Sequence, residues 1–211
     1  MTAAGLLTGP MVSQAVPVLD QSFEPPPICC TLWAAIGTLG PQLTFQTYQS
    51  FTVGVAGVLD RLEIYIDQDG TATENLIVEI FAGADPLGSA LASVTLSPSA
   101  IPTSPSLLGI DLSGAALAVS VGDLLGFRLS SQQDFTGNVN EYVTLGSGVG
   151  GYAGGAGRQI CTGCEANPPW DFYFRTFVEA DAVSVPEPGT LALFGLGLAG
   201  LGFARRRRAK S

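Results

Sequence analysis

Residues 58–81 read VLDRLEIYIDQDGTATENLIVEIF, two apolar alternations on either side of a polar stretch. In the first, Leu62, Ile64 and Ile66 share one face, and Arg61, Glu63 and Tyr65 the other. In the second, Leu76, Val78 and Ile80 lie opposite Ile77, Glu79 and Phe81. A period of two is the mark of a strand with one face on a core. Between them Asp67-Gln68-Asp69-Gly70 predicts a hairpin-like turn. Strand chemistry recurs at Phe45–Val53, Ala90–Leu96, Leu107–Leu112, Leu124–Ser130, Tyr142–Leu145 and Phe172–Val178. Separators are Gly83–Pro86, Ser97–Pro105, Gly122-Asp123 and the glycine-rich stretch Gly146–Gly157. The chain has 27 Gly and 14 Pro, too much punctuation for a helical bundle. About eight or nine short strands, with no helical stripe before position 190, predict an antiparallel β-sandwich over residues 16–183.

Charge and composition exclude several functions. Residues 1–185 carry only Arg61, Arg128, Arg158 and Arg175 against 17 acidic groups, with no lysine. Such a surface repels a phosphate backbone, so nucleic acid is not an expected partner. Histidine is absent, which removes the commonest general base and metal ligand. No Ser-His-Asp or Cys-His set can be built, and the expectation is a non-catalytic domain. The alternative is a carboxylate-dependent glycan hydrolase or lyase, although nothing singles out two of the acids.

The last residues, 184–211, have a different character. Val185, Pro186, Glu187 and Pro188 lead through Gly189 and Thr190 into the uncharged run Leu191–Ala204. Arg205, Arg206, Arg207 and Arg208 follow at once. As a helix these 14 apolar residues reach about 21 Å, against about 30 Å of hydrocarbon. The run has no polar face, and the arginines form a cytoplasmic stop. Snorkelling arginines and the flanking Gly189 and Thr190 lengthen the effective span, so a membrane helix is predicted over 190–204 with a basic tail at 205–211. The order of short motif (186–188), apolar helix and basic end resembles the PEP-CTERM sorting signal of Gram-negative-type bacteria. That resemblance implies export, an inner-membrane-tethered precursor and recognition of the motif by an exosortase. The mature protein would then lie at the cell surface or outside the cell.

Export requires a leader. Residues 1–15 end in Ser13-Gln14-Ala15, small residues that suit signal-peptidase cleavage before Val16. The basic n-region is missing, so the expectation is a truncated signal peptide whose true start lies upstream. The body also resembles a family of exported bacterial jelly-roll domains found ahead of this tail. The shared order is Phe45–Gly54, Leu62–Ile66, Leu76–Ile80, Leu87–Ser93, Val121-Gly122-Asp123 before Leu124–Leu129, Tyr152-Ala153-Gly154-Gly155 and Trp170–Thr176. It implies a jelly-roll-like fold and no defined activity.

Three candidate sites remain. Cys29, Cys30, Cys161 and Cys164 form two close pairs. An exported chain meets an oxidising compartment, so disulfides are expected. A four-thiolate zinc site is the metal alternative, though adjacent cysteines suit one zinc poorly. Cross-pairing would close a loop of about 130 residues and contribute up to about 5 kcal/mol in the chain-entropy model. Asp67, Asp69 and Glu74 are oxygen ligands around a glycine turn, with calcium as the candidate cofactor, although the EF-hand pattern is incomplete. Tyr152, Trp170 and Tyr173 lie by glycine-rich loops and are candidates for stacking on sugars, which makes extracellular polysaccharide a candidate partner. Core packing is the plainer role for Trp170 with Phe172 and Phe174.

Overall fold

A computed structural model describes residues 16–25, 31–41, 43–69, 72–84, 88–135, 141–148, 151–162 and 170–180. The chain divides into two units, Met1–Asp181 and Ala182–Ser211. The second unit, with the expected membrane helix at 190–204, lies outside the described residues, as does the expected leader 1–15. Among the described residues no helix is long and apolar enough to cross a membrane.

The first unit is all-β. In chain order its strands are β1 (Val18–Phe23), β2 (Thr31–Leu39), β3 (Leu43–Thr52), β4 (Gly57–Asp69), β5 (Leu76–Ala82), β6 (Ala90–Leu96) and β7 (Ser106–Asp111). They continue as β8 (Ala118–Val119), β9 (Leu124–Ser131), β10 (Glu141–Ser147), β11 (Gly157–Cys161), β12 (Asp171–Phe172) and β13 (Phe174–Ala180). They make one connected, open antiparallel sheet in the order β1-β13-β4-β10-β2-β3-β9-β5-β6. β7 and β8 add to β4, β11 to β3 and β12 to β10.

The sheet turns on itself at β2. Up to Ile36 this strand pairs with β10; from Gly37 onward it pairs with β3. Gly37 has φ +146°, and a Cβ there would lie 2.5 Å from the Gln133 carbonyl oxygen and 3.0 Å from the Phe135 ring. Only glycine fits this conformation and this approach. One apolar cluster draws its buried side chains both from β3, β5 and β9 and from β4, β7, β10 and β13. Phe174 sits at its centre. Its ring lies 5.9 Å from Phe51, 5.5 Å from Phe127 and 5.1 Å from Tyr152, centroid to centroid. Tilted and edge-on pairs of this kind add about 0.5–1.5 kcal/mol each beyond their area burial.

The two alternating segments, 58–66 and 76–81, are strands with the expected inner faces. Leu62, Ile64, Ile66, Leu76, Val78 and Ile80 are all buried. They are not a hairpin. β4 pairs with β13, β10, β7 and β8, whereas β5 pairs with β9 and β6. The expected turn at 67–70 is corrected as well, because β4 runs on through Asp69, which pairs with Glu141 of β10. A hairpin would put both apolar faces on one side of a sheet. Pairing with different strands still places both apolar faces in one buried cluster, which removes them from water.

Candidate functional site

Asp171 opens β12 and is only 4% exposed. Its Oδ1 accepts hydrogen bonds from Gln49 Nε2 and from the Gly157 amide, both at 3.1 Å; its Oδ2 accepts one from the Tyr152 amide at 3.0 Å. A carboxylate in this position loses its water, and three N–H donors take the place of that water. Gln49 lies on the same face of β3 as the core residue Phe51. Its Oε1 accepts from the Phe172 amide at 2.8 Å, and its Nε2 also donates to the Ser50 carbonyl at 3.0 Å. One side chain thus ties β3 to β12.

The same ties hold the glycine-rich stretch. Ser50 Oγ accepts from the Ala156 amide at 2.9 Å, and Thr52 Oγ1 donates to the Gly154 carbonyl at 2.8 Å. Gly155 lies so close to β3 that a Cβ would stand 2.0 Å from the Ser50 carbonyl oxygen. Glycine is required there by space, whatever its φ. Tyr152 anchors the near end of this stretch. Its hydroxyl donates to Gln21 Oε1 at 2.9 Å, and its ring packs on Phe174 and Phe23. Burial, with the carboxylates of Asp20 and Asp171 adding to it, pushes the phenol up to about 12.

These contacts locate the predicted sugar-stacking residues. Tyr173 is 0% exposed, its ring enclosed by Phe23 at 5.3 Å and Tyr65 at 6.2 Å, so it offers no face to a sugar. Tyr152 is half-buried within the contacts just described, and Trp170 is half-buried with its carbonyl accepting from the Gly157 amide at 2.8 Å. The three form no common exposed platform, because residues 170–174 close the core. The exposed tryptophan is Trp33 on β2.

Two of the three predicted calcium ligands lie in different settings. Asp67 is buried on β4, and Glu74 is exposed in the link to β5. The Asp69 side chain lies outside the described residues, among which no three Asp, Glu or Cys groups come together to hold a metal. The link to β5 is fastened by Gln133, whose Oε1 accepts from the Thr73 and Glu74 amides at 2.7 and 3.0 Å. Of the cysteines, Cys161 ends β11 opposite Phe45; Cys29, Cys30 and Cys164 lie outside the described residues.

Other carboxylates are engaged as well. Asp20 Oδ1 accepts from the amides of Gly54 and Val55, both at 2.7 Å, and its Oδ2 from Thr176 Oγ1 at 3.1 Å. Glu79 pairs with Arg128 at 2.5 Å, and that guanidinium lies over the Phe81 ring. Arg175 bridges Glu24 and Glu63. The Ser113 hydroxyl and amide hold the exposed Asp111 below the usual carboxylate range. Asp171, Gln49, Asp20 and Gln133 are not among the residues singled out from the sequence. A signal existed for two of them, a lone acid between Trp170 and Phe172 and a lone amide one residue from Tyr48 and two from Phe51.

The predicted sorting residues Val185, Pro186, Glu187, Pro188 and Arg205, Arg206, Arg207, Arg208 lie outside the described residues. Comparison with known families identifies them. Residues 184–208 match the family model of the PEP-CTERM protein-sorting motif. Neither a curated protein nor a solved structure matches the chain. Such a motif marks an exported protein processed at the membrane. The chain thus carries a PEP-CTERM protein-sorting motif at its C-terminus, consistent with an exosortase substrate.

Proposed function

We propose that this protein is a non-catalytic, surface- or matrix-associated protein whose β domain reaches its destination through the C-terminal motif. The match over residues 184–208 carries the reading. The precursor is tethered by the helix 190–204 with Arg205–Arg208 on the cytoplasmic side, and the exosortase then separates domain from tail. Intact-mass analysis of the protein from its native host tests this. A mature end near Pro188 is expected, and a retained Ser211 overturns it.

The folded domain is read as a jelly-roll-like sandwich, supported by the apolar cluster between the two halves of the sheet. Its non-catalytic character is supported by the lack of histidine and by the engagement of Asp20 and Asp171 with backbone and side-chain donors. A glycosidase needs two carboxyl groups about 5–10 Å apart across an open cleft. Disulfide bonding among the four cysteines belongs to the same reading, supported by the engaged state of Cys161. Extracellular polysaccharide is the partner class proposed for the mature domain. A glycan array probed with the mature protein, with and without calcium, tests that choice.

A further inference from the structure

Five of the large apolar side chains that the domain leaves exposed belong to one end of it: Val16, Val18, Leu19, Val121 and Leu124, between 40% and 79% exposed. The loop between β3 and β4, residues 53–56, ties that end together. Its Val53 exchanges hydrogen bonds with Gly122 and Asp123, each 2.8 Å. Gly54 and Val55 donate to Asp20 of β1. Gly57, which follows, pairs with both Val119 and Ala180. The chain enters and leaves the domain here, since Val18 at the start of β1 pairs with Val178 near the end of β13. None of residues 16–20, 53–57, 117–125 and 178–180 is Arg or Lys, and the acids among them are Asp20, Asp123 and Glu179.

The span from Ala180 to the start of the membrane helix at Thr190 is short. Ten residue steps reach at most about 35 Å even when fully extended. We propose that this end of the domain rests on the outer surface of the membrane in the uncut precursor, with Val121 and Leu124 in the lipid interface beside Val16, Val18 and Leu19. The proposal rests on the reading of residues 190–204 as a membrane helix. It commits to a lipid surface as the occupant because the chain between the apolar end and that helix keeps this end within about 35 Å of the membrane. Apolar side chains gain from leaving water, and an end with three acids and no base selects zwitterionic over anionic headgroups. Cutting near Pro188 removes the tether and with it the nearness that makes so small an apolar area effective.

Photocrosslinking tests this on the full chain in phosphatidylcholine vesicles. A photoreactive phenylalanine analogue is placed at Val121, an exposed turn position, or at Leu39. Leu39 is also exposed but ends β2, where it pairs with Leu43 at the far end of the 10-residue strand β3, about 30 Å away along the strand direction. The expected result is a lipid adduct at position 121 that is absent at position 39 and weakened by anionic lipid. Adducts at neither position, or equally at both, overturn the proposal while flotation of the chain with the vesicles upholds the membrane helix. A chain that fails to float overturns the membrane-helix reading and this proposal with it.

Discussion

Asp171 and Phe174 are three residues apart, and the structure holds them by opposite means. Phe174 is enclosed by rings from β3, β9 and the glycine-rich stretch. Asp171 is enclosed by N–H donors from β3, Tyr152 and Gly157. The first arrangement needs only shape and apolar surface, and many neighbours share the work. The second needs particular atoms at particular angles. Residues 153–157 are Ala or Gly and have almost no apolar surface to bury, so burial alone cannot dock them. A buried carboxylate and amide dock that stretch through its backbone, which is why the polar pair sits where side chains are missing.

The comparison predicts unequal mutational effects. Phe174→Ala leaves a cavity at the centre of the cluster and should cost about 3–5 kcal/mol, with all core amides losing protection together. Chemical denaturation with hydrogen exchange measures both. Asp171→Ala should cost less, about 2–3 kcal/mol, because the Gly157 amide still has the Trp170 carbonyl and Gln49 still has the Ser50 carbonyl. Its loss should be local, with the amide of Tyr152 exchanging faster before the sheet does. A uniform loss of protection in Asp171→Ala, as large as that of Phe174→Ala, would erase the distinction between the two regions.

Tyr152 touches both regions and sharpens the contrast. At neutral pH Tyr152→Phe should cost about 1 kcal/mol, the worth of one hydrogen bond to Gln21. Its phenol is raised from 10.0 to about 12 in the folded protein. The unfolded chain therefore releases this proton first. The stabilisation is complete below pH 10 and is lost as pH rises through about 12. Tyr142, raised to about 12 mainly by burial, adds to the same decline. Denaturation midpoints measured across that window should fall less steeply for Tyr152→Phe than for the parent. An unchanged slope would mean that Tyr142 alone accounts for it.

Much of the architecture was legible where the signal is local. Residues 58–66 and 75–81 alternate because their side chains face a core on one side only, and both are strands. β2 was not legible. Its inward residues Leu32, Ala34 and Ile36 are interrupted by Ala35 and Gly37, so the period-two pattern is faint. The expected turn at 67–70 failed over its described residues, 67–69, because Asp favours turns but does not compel one. Backbone pairing with β10 outweighed the preference.

The amino-acid sequence by itself determined the class of the domain, the absence of imidazole chemistry and the C-terminal motif. These rest on composition, on short-range period and on the order of three adjacent segments. Only the tertiary structure decided which strands are neighbours, where the sheet changes halves and which acid is buried. Strand pairing is made by backbone N–H and C=O groups, which nearly every residue carries alike. The choice of partner is set by how two apolar faces best cover each other across the core. Gly37 and Asp171 acquired their roles in the same way, from a carbonyl at Gln133 and an amide at Tyr152 that lie far from them in the chain.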